Sequence, residues 1–244
     1  MDSKERYGRF VLQFEDARTS AGSLFRAVQL GPAGYERHVQ LFRSEMLSAE
    51  VAQRVADGLK SGLQVQHAQI ARGFEAGRID KTAFAASELF EGRSVGALLE
   101  RSSAERHPFA ADHALLIASK AAAALEAAQA KKQIHGFLIP EFIHVSHDGE
   151  VSVRGFGLSP RILRDANCVG VREAGFLAPE VEGNAPLDIR ADVFSLGAQL
   201  FEMLTGLPLP RNQSLAAALE AARVQSPGSD GSLMRAGVVE SADT

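Results

Sequence analysis

The chain has 244 residues, 26 basic and 30 acidic side chains for a net charge of −4, and 45% hydrophobic residues; this suits a globular chain of one large or two small lobes with a sizeable core. No basic stripe stands out, so nucleic acid is not an expected partner. No run nears the roughly 18 apolar residues of a membrane span, and Met1-Asp2-Ser3-Lys4-Glu5-Arg6 has no apolar run behind it to make a signal peptide.

Residues 10–14 and 23–30 read as strands around a polar turn at 15–22, E-D-A-R-T-S-A-G. Residues 36–61 carry a helical pattern, with Val39, Phe42, Met46, Val51, Val55 and Leu59 mostly at three- and four-residue steps. Two further strands are expected at 70–74 and 82–89 around a turn at 75–80. The Ala-rich stretch 110–132 is a core helix, with Lys131 and Lys132 placed to favour its C-terminus. Residues 135–157 read as loop, short strand, turn, short strand, loop, with Asp148-Gly149 as the tight-turn pair. The segment 158–176 is polar and mixed, with Ser159 as its one hydroxyl. Cys168 lies there, cannot form an internal disulfide, and reads as an ordinary exposed thiol in a reducing, cytoplasmic setting. Residues 188–204 form a buried helix stopped by Gly206 and Pro208. A short helix at 214–224 and a disordered tail at 225–244, rich in Ser, Gly and Asp, complete the chain. The seven histidines show no metal-ligand spacing, so zinc is not expected.

His135, Leu138, Phe156-Gly157 and Ala178-Pro179-Glu180, in that order, resemble the C-terminal lobe of the protein kinase family, whose H-R-D-L-x-x-x-N loop precedes D-F-G and A-P-E. The resemblance implies an α+β, bilobal fold: a small β-rich lobe at 1–90 and a helical lobe at 91–224, trimmed after the helix that follows A-P-E. It places the family's catalytic Asp at Phe137, its metal-binding Asn at Phe142 and the Asp of D-F-G at Gly155. Arg26-Ala27-Val28-Gln29 matches V-A-I-K, with Gln29 in the place of the lysine. The glutamate that pairs with that lysine would fall near Asp57-Gly58, where none stands. His135, Phe156 and Asp192 match the packed and hydrogen-bonded pillar behind the family's catalytic loop. His144 falls beneath the adenine position and is read as a satisfied, partly buried histidine.

Phosphoryl transfer needs a cation on the phosphates, oxygen ligands for magnesium and a group to orient the attacking hydroxyl. Gln29, Gly155, Phe142 and Phe137 supply none of these. The resemblance therefore implies a pseudokinase, not an enzyme, without cofactor or metal, in which Phe137 and Phe142 pack inward and fill the space between the lobes. It would serve as a signalling scaffold or allosteric regulator, its partners proteins such as an active kinase or its substrate. One alternative is a divergent ATP-binding Ser/Thr kinase or other phosphotransferase. Another is a structural subunit or fragment of a larger kinase-domain protein. The Ala-rich style of the chain reads as bacterial.

Overall fold

The computed structural model describes residues 5–183 and 185–207. The helix expected at 214–224 and the tail at 225–244 lie outside the described residues. The first lobe is a curled antiparallel sheet with one helix. Its strands are β1 Arg6–Tyr7, β2 Phe10–Thr19, β3 Gly22–Gly31, β4 Gly34–Ser44, β5 Gly73–Ile79 and β6 Thr82–Glu88, in the spatial order β1-β2-β3-β4-β6-β5. Helix α1, Ala49–Gly62, packs on β5 and β6, and its N-cap Ser48 accepts a hydrogen bond from Val51 N.

Two expectations change here. Residues 36–61 are a strand followed by a helix, not one helix. β4 is central and covered on both faces, with Val39 and Leu41 in one apolar cluster and Phe42 in another. A strand buried on both sides loses its polar alternation, and its apolar residues then fall into helix-like steps. The polar stretch 15–22 is likewise mostly strand, turning only at Ser20-Ala21, with Gly22 opposite Thr19. Its charges are paired within the sheet, Glu15 with Arg18 at 2.7 Å and Asp16 with Arg26 at 3.0 Å. The strand expected at 70–74 begins at Gly73 and runs through the expected turn to Ile79; the chain reverses at Asp80, whose φ is 50°.

The second lobe is mainly helical. A small sheet of β7 Arg93–Ser94, β8 Ile143–Val145 and β9 Val151–Val153 lies against the helices. Ser94 caps α2, Val95–Glu105, by accepting from Ala97 N. Helix α3, Ala111–Ala130, buries Ala114, Ala121, Ala124 and Ala128, small residues that let it approach α6, Ile189–Thr205. Asp188 caps α6 at its start, and Gly206 in the left-handed region closes it. The polar segment after Gly157 contains two short helices, α4 Pro160–Asp165 and α5 Val171–Phe176. The architecture is a two-lobed α+β fold with its site-bearing loop, 135–157, between the lobes. No helix among the described residues is long and apolar enough to cross a membrane.

Candidate functional site

The loop from His135 to Gly157 faces the underside of the first lobe. Phe137 and Phe142 are both fully buried. A 3-10 turn, Pro140–Phe142, swings the Phe142 ring upward, edge-on to Phe42 of β4 at 5.8 Å between centroids and to Phe137 at 6.3 Å. Gly155 has φ +85°, a conformation that favours glycine. A Cβ added there would lie 2.9 Å from Phe142 Cδ1. The aromatic ring thus takes the room that a side chain at 155 would need. Neither Phe142 nor Gly155 offers a side-chain oxygen, so magnesium has no side-chain ligand at these two positions.

A chain of polar side chains crosses beside this aromatic contact. Arg154, beside Gly155, donates from Nη1 to Gln40 Oε1 at 2.6 Å; Gln40 Nε2 donates to Asp16 at 3.0 Å, and Asp16 pairs with Arg26. Gln40 is thus a polar β4 residue that reaches the loop, beside Phe42. Gln29 is not: it sits opposite Phe10 and Arg37, with its amide beside Glu75 at 3.4 Å. With 36–61 read as helix, the sequence offered no strand that could carry Gln40 to the loop. Burial brings the Arg154 guanidinium down to about 10, so it stays charged at neutral pH. His144 is held neutral first by burial and then by Arg154 and Arg26; its Nδ1 has no partner, so it is not the satisfied histidine expected from sequence.

Behind the loop, Asp192 of α6 accepts from the backbone N–H of His135 at 2.7 Å and of Gly136 at 2.8 Å. His135 Nε2 donates to the Arg154 carbonyl at 2.7 Å while Nδ1 accepts from Phe137 N at 3.3 Å, which makes its ring neutral, as burial favours. The His135 and Phe156 rings stack tilted at 4.7 Å. The structure therefore brings His135, Phe156 and Asp192 together and ties them to the loop. Ala178, Pro179 and Glu180 lie further along: Ala178 is buried, Pro179–Glu182 is a 3-10 turn, and the Glu180 carbonyl accepts from Arg161 at 3.0 Å. Gly58 stands where the family's helix glutamate was sought, and a Cβ on it would strike the Gly157 carbonyl. The absent side chain lets α1 lie directly on that segment.

At the mouth is a cleft of about 500 Å³ lined by Glu15, Asp16 and Arg18 of β2, Ser94, Glu100 of α2, and Glu141. Glu141 was not singled out from sequence, being masked by its aromatic neighbour Phe142. Burial pushes its carboxyl up to about 7, against the opposing pull of Arg172 at 4.0 Å. The hairpin tip above the cleft is pinned to the segment after Gly157, with Ser20 N donating to Glu173 at 2.8 Å. Cys168 is buried in the apolar cluster under that tip, not exposed, and burial raises its thiol.

The fold and site agree with what comparison finds. Residues 40–228 match the protein kinase domain model. The chain is 26% identical over 227 residues to the tyrosine-protein kinase MasK of Myxococcus xanthus, covering 86% of this chain and 35% of MasK. It is 27% identical over 172 residues to the serine/threonine-protein kinase PknH of Mycobacterium tuberculosis, covering 68% of this chain and 26% of PknH. It thus spans about a third or less of these relatives. Among solved structures it superposes on a Mycobacterium tuberculosis PknI kinase domain with TM-score 0.70 and 18% identity, covering 92% of this chain and 87% of that one. These findings overturn the expectation that the chain is not an enzyme, since the matched family and the relatives' names point to a kinase. By its match from β4 onward and by its two-lobed fold, the chain belongs to the protein kinase domain family.

Proposed function

We propose that the chain is a divergent phosphotransferase of the protein kinase class that takes a nucleotide at the cleft between its lobes. The observation that carries this reading is Glu141 on the floor of the roughly 500 Å³ cleft, with a carboxyl pushed up to about 7. A carboxyl of that pKa is suited to take a proton from an attacking hydroxyl near neutral pH. Ser94, at the start of α2, supplies a hydroxyl to the same cleft, and Arg18 supplies a cation beside Glu15 and Asp16. Phosphoryl transfer depends mainly on position and charge neutralisation, so such a site can be built from other residues than the family's usual ones. Names of relatives that are Ser/Thr and tyrosine kinases support the class, with protein hydroxyls as acceptors. A cytoplasmic setting, with Cys168 as a buried reduced thiol, goes with this reading.

A second reading has its own observation. The Phe42–Phe142–Phe137 contact and the Arg154–Gln40 bond fill the middle of the cleft with the chain's own side chains, which suits a domain that also works through protein contacts as a scaffold or allosteric partner of an active kinase or its substrate. Incubation of the purified chain with γ-labelled ATP and divalent cation, alongside Glu141→Gln, tests the first reading. Label reaching a protein acceptor with wild type and lost with Glu141→Gln supports it. No label, together with no thermal shift at millimolar ATP, refutes it and leaves the partner-binding reading, whose mark is stoichiometric capture of a kinase.

A further inference from the structure

The tip of the β2–β3 hairpin rests on the second lobe. Its turn is held by its own groups: the Thr19 hydroxyl donates to the Gly22 carbonyl at 2.8 Å and accepts from the N–H groups of Ala21 and Gly22, both at 3.2 Å. The N–H that this leaves over is that of Ser20, and it is satisfied across the lobes, by the Glu173 carboxylate of α5. Ala21 is fully buried and shares an apolar cluster with Cys168, Phe176 and Leu177 of the segment after Gly157. Gly170, just before α5, leaves room for this approach, since a Cβ on it would strike both Ser20 Oγ and Glu173 Oε2.

What the tip itself brings to the second lobe is small: the Ala21 methyl and the Ser20 N–H. A contact of that size opens locally, at a free energy well below that of global unfolding. Thr19 keeps the turn intact when the tip lifts. From the tip β2 runs back through Arg18, Ala17, Asp16 and Glu15, which line the cleft mouth. Ala17 and Leu24 also pack in the cluster that holds Phe42, Phe137 and Phe142. Lifting the tip therefore widens the way from the mouth to the centre of the cleft.

We propose that the Ser20-Ala21 tip, seated on Gly170 and Glu173, is an autoinhibitory latch: it keeps ligands out of the centre of the cleft and lifts as a unit, without unfolding of either lobe. That the ligand kept out is a nucleotide rests on the reading of the chain as a phosphotransferase. The latch itself rests on the tip contact alone.

Cys168, the one cysteine of the chain, reports on the latch. It is 7% exposed, and it lies near Glu45, whose charge acts on its thiol and whose N–H donates to the Ala21 carbonyl at 3.0 Å. Labelling of this thiol in the full chain by a water-soluble maleimide, followed against urea, tests the proposal. In wild type the labelling rate should depend on urea much less steeply than global unfolding does. Glu173→Ala removes the acceptor of the Ser20 N–H and should speed labelling about 10–100-fold, with the shallow slope kept. Gly170→Val displaces the tip by bulk and should do the same. A wild-type slope equal to that of global unfolding overturns the proposal, and this result stands even where a variant fails to fold. So does labelling that both variants leave at the wild-type rate. Thermal shift with ATP and divalent cation separates the latch from the nucleotide. A larger shift in Glu173→Ala than in wild type supports the latch. Equal shifts in the two proteins show that it guards nothing and overturn it. Faster labelling with no shift in either protein tells against the nucleotide and leaves the latch supported by its thiol.

Discussion

Gly155→Ala asks directly whether the Phe142 ring occupies the space beside residue 155. The new Cβ would meet three ring atoms, Cδ1 at 2.9 Å, Cγ at 3.0 Å and Cε1 at 3.1 Å, all well inside ordinary contact. The ring is fully buried and held by Phe42, Phe137 and His135, with only a cavity of about 50 Å³ beside it into which it could shift. Two costs add. Holding alanine at φ +85° costs about 1–2 kcal/mol, and forcing a methyl into packed space costs about 1–3 kcal/mol. The single variant should therefore lose about 2–5 kcal/mol. Phe142→Leu alone removes ring contacts and should lose about 1–2 kcal/mol. In the double variant the overpacking cost disappears while the backbone cost stays. The two changes should then be less than additive by about 1–3 kcal/mol. Urea unfolding of the four proteins measures this as a shift in midpoint at constant slope. Additivity within about 0.5 kcal/mol would mean that residue 155 and the ring do not share that space, and the account of the cleft interior would fail.

Two other outcomes follow from the same site. Asp192→Ala leaves the buried N–H groups of His135 and Gly136 without an acceptor, for a loss of about 2–5 kcal/mol in urea unfolding, with Asp192→Asn keeping part of it. Glu141 has its carboxyl raised from 4.5 to about 7, so the folded chain holds more protons than the unfolded one between those values. Its contribution is fully present below pH 4.5 and is lost as pH rises through about 7, a loss of about 3 kcal/mol. Glu141→Gln should match wild type at pH 4.5 and exceed it at pH 8, and equal midpoints at both pH values would contradict the burial argument. Since the variant gains stability where kinase assays are run, a loss of labelling in it cannot be blamed on unfolding.

What could be read from the chain alone divides along physical lines. The loop 135–157 and helix α6 were legible because their signals are local: Asp148-Gly149 for the hairpin, Gly206 and Pro208 as the helix stop, and the aromatic substitutions at Phe137 and Phe142. The first lobe was read less well. β4 is buried on both faces, so Val39, Gln40, Leu41 and Phe42 carry no alternation, and its apolar steps ran into those of α1. The charges at 15–18 suggested a loop because the partner of Asp16, Arg26, lies on the next strand and is set by strand register and not by spacing. Burial was the other gap. Cys168 sits in a polar segment of the sequence, and only the closing of the hairpin tip takes it from solvent.

Four of the contacts between the lobes differ in kind: ring on ring at Phe42–Phe142, a charged hydrogen bond at Gln40–Arg154, bare backbone at Gly58–Gly157, and a carboxylate on an amide at Ser20–Glu173. The first two fill the centre and the last closes the tip, so a ligand reaching past the mouth must break them. The aromatic pair is worth about 0.5–1.5 kcal/mol beyond its buried area. A charged hydrogen bond adds about 1.5–3 kcal/mol. A ligand that needs the centre therefore binds more weakly by roughly 2–4 kcal/mol, a factor of about 30–1000 in affinity. One that stays at the mouth, among Glu15, Ser94 and Glu141, bears none of that cost. Depth in the cleft thus sets affinity, and weakening Phe42–Phe142 tightens binding only for ligands that go beyond Glu141.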